Sequence, residues 1–120
     1  LINKYFNEIE QLSLINSIDC YLSLHRSEGL GLDIIKAMLL KKPVIASNFS
    51  GNLEYMNKIN SCLVSCKMKN VKKHEYIYTN DQKWAYPSSK QTVKFMLKLY
   101  RDKNFYDKKA YNSSLSFFED

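Results

Sequence analysis

The chain has 120 residues, 45% of them hydrophobic and 25% charged, and carries 18 Lys+Arg against 12 Asp+Glu for a formal charge of +6. This is enough for one globular domain with a real core, and no stretch reaches the roughly 18 consecutive apolar residues of a membrane-spanning helix. Three cysteines, Cys20, Cys62 and Cys66, are an odd count in apolar surroundings, which argues against a disulfide framework and fits a reducing compartment.

In chain order, Leu1 to Ile18 places Phe6, Ile9, Leu12 and Ile15 at helical steps, with Glu8 and Glu10 near the start, and predicts a helix that covers a sheet. Cys20 to Leu24 (CYLSL) reads as a strand. It breaks at a polar loop with Gly29 and Gly31, after which Ile34, Ile35, Met38 and Leu39 lay one apolar stripe along a second helix. Pro43 to Ser47 (PVIAS) reads as a buried strand with its proline at the tolerated first position. Strand, loop, helix and strand form a βαβ unit, so the fold class predicted is α/β: a Rossmann-like parallel sheet flanked by helices.

Asn48 to Asn52 then forms a turn-rich loop, with a short helix from Asn52 or Leu53 through Met56. Cys62 to Cys66 (CLVSC) predicts the next strand, with both cysteines on one side. Lys67 to Lys83 reads as a long basic loop whose apolar island is Tyr76, Ile77 and Tyr78. Trp84 to Pro87 closes it, Trp84 serving either as an anchor that docks the loop or as a platform for a sugar. Ser88 or Ser89 caps a helix with Val93, Met96, Leu97 and Tyr100 on one face, and a last helix from about Asn104 to Phe118 is amphipathic through Tyr106, Ala110 and Leu115.

The chemistry gathers at the loop before the second helix. Glycines let a ligand approach the backbone, and the first amides of a helix lack intrahelical partners, so the place attracts anions. Glu28 is either a local cap on those amides or a group held ready for the hydroxyls of a polar ligand. Ser50 and Asn52 either cap the short helix or touch the same ligand from the neighbouring strand end. Cys62 and Cys66 lack a second pair of metal ligands, since His25 and His74 stand apart, so packed thiols are expected and no metal.

The run SEGLGLDIIKAM, then KKPVIAS and NFSGNLEYM, resembles the donor-site segment of retaining glycosyltransferases of family 4, which have the GT-B architecture of two facing Rossmann-like domains. Glu28, Gly29, Gly31, Leu32, Ala37, Met38, Pro43, Val44, Ile45 and Ala46 stand at matching places. His25-Arg26-Ser27, Ser50-Gly51-Asn52-Leu53 and the pattern Trp84-Ala85-x-Pro87 look like one bacterial subset of that family. The resemblance implies that residues 1–120 are one nucleotide-sugar-binding domain, the C-terminal donor half, with further strands and an N-terminal acceptor domain expected upstream.

It further implies transfer of a hexosyl group from a nucleoside-diphosphate sugar to an acceptor hydroxyl with retention, in surface polysaccharide or glycan synthesis, without cofactor or metal. Glu28 would be catalytic, and Gly29, Leu30, Gly31, Leu32, Lys36, Ser50, Gly51 and Asn52 would bind the donor. Two positions depart from the pattern. Lys36 stands where the family has the second glutamate, associated with the nucleotide ribose, and an ammonium offers donors only. It either reaches a phosphate or is a solvated helix residue. Leu30 replaces the usual phenylalanine and keeps an apolar wall.

Expected partners are the nucleotide-sugar donor and a glycan or lipid-linked acceptor, in the cytoplasm. Lys67, Lys69, Lys72, Lys73, Lys108 and Lys109 form either a solvated face or a peripheral contact with an anionic membrane; no nucleic-acid motif accompanies them. The competing class is a GT-B-like binding module without chemistry, which the lysine at position 36 favours.

Overall fold

The computed structural model describes residues 1–75 and 81–118. Three parallel strands, β1 (Tyr21–Ser23), β2 (Val44–Ser47) and β3 (Cys62–Val64), form a sheet in the order β1-β2-β3. The register aligns Leu22 with Ile45 and Ile45 with Cys62. All four residues of β2 are buried, as a central parallel strand covered on both faces requires. Its side chains alternate. Val44 and Ala46 join Ile15, Ile34, Ala37, Met38 and Met56 on one face, while Ile45 joins Cys62, Val64 and Leu99 on the other.

Helices α1 (Glu8–Ser17) and α2 (Leu32–Leu39) supply the first of these layers, and α3 (Ser89–Arg101) and α4 (Lys103–Leu115) contribute to the second. The first helix begins at Glu8 rather than Leu1. Asn7 accepts from the Glu10 amide at 2.8 Å and the Glu10 carboxylate accepts from the Asn7 amide at 3.1 Å, a reciprocal cap that stops the helix there and leaves Phe6 outside it.

At the far end of α2, Lys42 donates to the Ala37 carbonyl and Lys41 to that of Met38. This closes the helix with Lys41 at φ 56°, a left-handed position that suits glycine. The expected short helix is a 3-10 turn, Gly51–Glu54.

Several sequence expectations are corrected. CLVSC is not one strand: it breaks at Ser65, so Cys62 is buried in the parallel sheet while Cys66 opens a separate hairpin. That hairpin, β4 (Cys66–Asn70) paired antiparallel with β5 (Lys83–Pro87), occupies both ends of the segment read as a loop; the island Tyr76, Ile77 and Tyr78 lies outside the described residues.

The apolar face assigned to α3 is turned outward. Val93, Met96, Leu97 and Tyr100 are exposed, and Thr92, Phe95 and Leu99 face the core. In α4 the buried positions are Lys109, Ser113 and Ser114, while Tyr106, Ala110 and Leu115 are half-buried, Tyr106 against the second core layer. Lys109, grouped by sequence with the solvated lysines, donates to the carbonyls of Lys58, Ile59 and Ser61 and so caps the chain entering β3.

No helix among the described residues is long and apolar enough to cross a membrane.

Candidate functional site: a cleft at the carboxyl ends of the strands

Strand β1 delivers its chain into the loop at Glu28 to Gly31, and β2 delivers its own into Asn48 to Gly51, so two loops meet at the carboxyl ends of adjacent parallel strands. They are bolted together. The Ser50 hydroxyl donates to the Glu28 carbonyl at 2.6 Å and accepts from the Glu28 amide at 3.2 Å; the Gly51 amide adds a bond to the same carbonyl at 3.3 Å. Ser50 holds φ 84° to make this contact, a conformation uncommon outside glycine.

Behind the bolt, His25 bridges the Ser23 hydroxyl at 3.2 Å and the Phe49 carbonyl at 2.8 Å, and Ser47 donates to the His25 carbonyl at 2.6 Å. On the flank, the Ala85 amide of β5 donates to the Arg26 carbonyl at 2.9 Å. The Arg26 guanidinium stacks 4.4 Å from the Trp84 ring centre and 5.7 Å from that of Tyr86. Of the two roles read for Trp84, these contacts are those of an anchor that docks the hairpin on the loop.

An open cleft of about 530 Å³ lies beside the loop. Of the sequence-predicted residues, Glu28, Leu30, Gly31, Leu32 and Lys36 line it. Gly29 is exposed next to it, while Ser50 and Gly51 serve as the bolt, the serine hydroxyl being engaged with the Glu28 backbone. Asn52 is fully buried. Its amide nitrogen donates to the Ser47 carbonyl and lies 3.3 Å from the Met56 sulfur, so it neither caps the turn nor reaches the cleft; its carbonyl oxygen is buried without a partner among the described residues.

Glu28 is half-buried and free of ion pairs among the described residues; one of its carboxylate oxygens accepts from the Gly29 amide at 3.1 Å. That amide lies in the loop ahead of α2, so Glu28 does not cap the helix, and its other oxygen has no partner among the described residues. Lys36 is half-buried and held by its neighbours. It donates to the Gln11 side chain at 2.7 Å and lies 3.6 Å from Asp33, whose carboxylate accepts from Gln11 at 3.1 Å.

Helix α2 starts at Gly31 with φ 78° and no side-chain cap, so its leading amides keep no protein acceptor among the described residues. Sequence reading missed Tyr55. Its hydroxyl donates to the Leu30 carbonyl at 2.7 Å and lies 3.2 Å from that of Gly31, and burial together with the charge of Glu28 pushes the phenol up to about 12. No spacing rule links Tyr55 to a loop so far back in the chain. Asp33, Tyr21 and Ser23, which also line the cleft, were read only as helix and strand positions.

Burial raises the thiols of Cys20 to about 12 and Cys62 to about 11, as for packed, unreactive cysteines. No family model, curated protein or solved structure matches the chain.

Proposed function

We propose that the protein is a retaining glycosyltransferase domain of the GT-B type that binds a nucleoside-diphosphate sugar in the cleft beside Glu28 and passes its hexosyl group to an acceptor hydroxyl. The observation that carries this reading is that one cleft, at the carboxyl ends of two parallel strands, is lined both by Glu28, which has no ion pair among the described residues, and by Gly31 and Leu32 at the uncapped start of α2. Such amides and the α2 dipole suit a diphosphate, and they stabilise it most as it departs with negative charge.

In this mechanism Glu28 accepts hydrogen bonds from sugar hydroxyls and orients the anomeric carbon. The amides at Gly31 and Leu32 hold the diphosphate oxygens. Leu30, 53% exposed, walls the sugar side with an apolar surface. The acceptor, a glycan or lipid-linked hydroxyl of cytoplasmic or membrane-peripheral polysaccharide synthesis, approaches from a facing domain.

Transfer by the intact protein, followed with a panel of nucleoside-diphosphate hexoses, tests the reading. Glu28→Ala should abolish turnover while the folded circular-dichroism spectrum is kept; unchanged turnover counts against it.

The tie of Lys36 to Gln11 and Asp33 favours a second reading, a binding module that keeps the cleft and has lost the chemistry. It predicts nucleoside-diphosphate binding without donor hydrolysis or transfer, where the enzyme shows both.

A further inference from the structure

The Leu30–Gly31 and Gly31–Leu32 peptides are trans, so in each the N–H points opposite to the C=O. Both carbonyls lie within hydrogen-bond reach of the Tyr55 hydroxyl, at 2.7 and 3.2 Å, and that of Gly31 also accepts from the Ile35 amide at 3.1 Å. Leu30, Gly31 and Leu32 line the cleft, and among the described residues Tyr55 does not. With the carbonyls turned to Tyr55, the N–H groups of Gly31 and Leu32 are directed away from its hydroxyl.

We propose that Tyr55 is a positioning residue: by holding two carbonyls of the loop, its hydroxyl aims the Gly31 and Leu32 amides at the ligand's diphosphate. The inference rests on the diphosphate reading of the cleft and adds the group that sets its geometry.

Several contacts fix Tyr55 in this place. Its ring packs against Phe117 with centroids 5.6 Å apart at 42°. A Cβ at Gly31 would come 2.8 Å from its oxygen, so the absent side chain at position 31 makes room for the hydroxyl. The elevated phenol keeps the group a donor throughout the neutral range. Without the hydroxyl the Leu30 carbonyl loses this donor while the Gly31 carbonyl keeps the Ile35 amide, so the Leu30–Gly31 peptide is the one released to turn over at the glycine, which would point the Leu30 carbonyl oxygen at the anion.

Inorganic pyrophosphate, the part common to every nucleoside diphosphate, is the probe. Calorimetric titration of the intact protein compares wild type with Tyr55→Phe, which keeps the ring on Phe117. Tyr106→Phe is the control, since it removes a similar hydroxyl that donates to the Asp19 carbonyl at 2.8 Å, away from the cleft. About tenfold weaker binding by Tyr55→Phe, with Tyr106→Phe unchanged, is expected. A change under threefold in Tyr55→Phe, or equal weakening in both variants, overturns the proposal and leaves the cleft reading in place. A fall in melting temperature with an unaltered Kd marks a purely structural role and overturns it as well.

Amide NMR of the wild type gives a readout independent of any variant's folding: pyrophosphate should shift Gly31 and Leu32 most, and largest shifts elsewhere overturn the assignment. If the wild type binds no pyrophosphate, the diphosphate reading itself falls and this inference with it.

Discussion

Gly51 stands backbone to backbone with Gly29: a Cβ added at Gly51 would collide with the Gly29 carbonyl oxygen and come 2.7 Å from its carbon. The obstruction is main chain, so no side-chain rotation relieves it. Gly51→Ala must part the two loops and break the Ser50–Glu28 bonds, at a cost of about 1–3 kcal/mol in folding stability. Urea denaturation reads the stability, and titration with nucleoside diphosphates should show at least tenfold weaker binding. An alanine variant with wild-type affinity would mean that the loops need not touch.

The left-handed Lys41 predicts the opposite outcome. Glycine there removes the Cβ strain of φ 56° but gives the unfolded chain more freedom, and the first effect is the larger. Lys41→Gly should therefore stabilise the protein by about 0.5–1 kcal/mol, seen as a higher denaturation midpoint with an unchanged slope.

Trp84 is the chain's only tryptophan, so its fluorescence reports directly on the stack with Arg26. Arg26→Ala uncovers the ring, and the emission should shift to the red with a loss of about 0.5–1 kcal/mol of stability. An emission maximum that does not move would place the guanidinium elsewhere in solution.

Lys109 ties pH to stability. The residue is only 9% exposed, and burial lowers its pKa below the ordinary 10.5. A lysine whose folded pKa lies below its unfolded value leaves the unfolded chain holding more protons between the two, so the stability contributed at this site rises with pH across that window. Lys109→Met strands the carbonyls of Lys58, Ile59 and Ser61, costing about 1–3 kcal/mol at pH 7. The gap between wild type and variant should widen at pH 10; equal gaps at both pH values would contradict the lowered pKa.

Lys36 makes a binding prediction. Gln11 and Asp33 already occupy it, so Lys36→Gln should alter diphosphate affinity less than threefold, whereas a lysine that reached a phosphate would lose far more. Competition against a fluorescent nucleotide measures the difference.

Local order in the chain was enough to read the βαβ unit. The β-rich run Tyr21–Ser23, the apolar run Val44–Ser47, the apolar stripe of α2 and the glycines before it are properties of neighbours in sequence, and they located the strands, the helix and the loop with Glu28. Contacts between distant residues were beyond such reading. Cys66–Asn70 is a strand because Lys83–Pro87 pairs with it, Lys109 is buried because three carbonyls need its donors, and Val93 to Tyr100 lies outside because Thr92, Phe95 and Leu99 fit the sheet. Tyr55 belongs to the same class. Its place at the loop follows from how the turn after β2 folds back on the turn after β1, a relation that exists only once the strands are side by side.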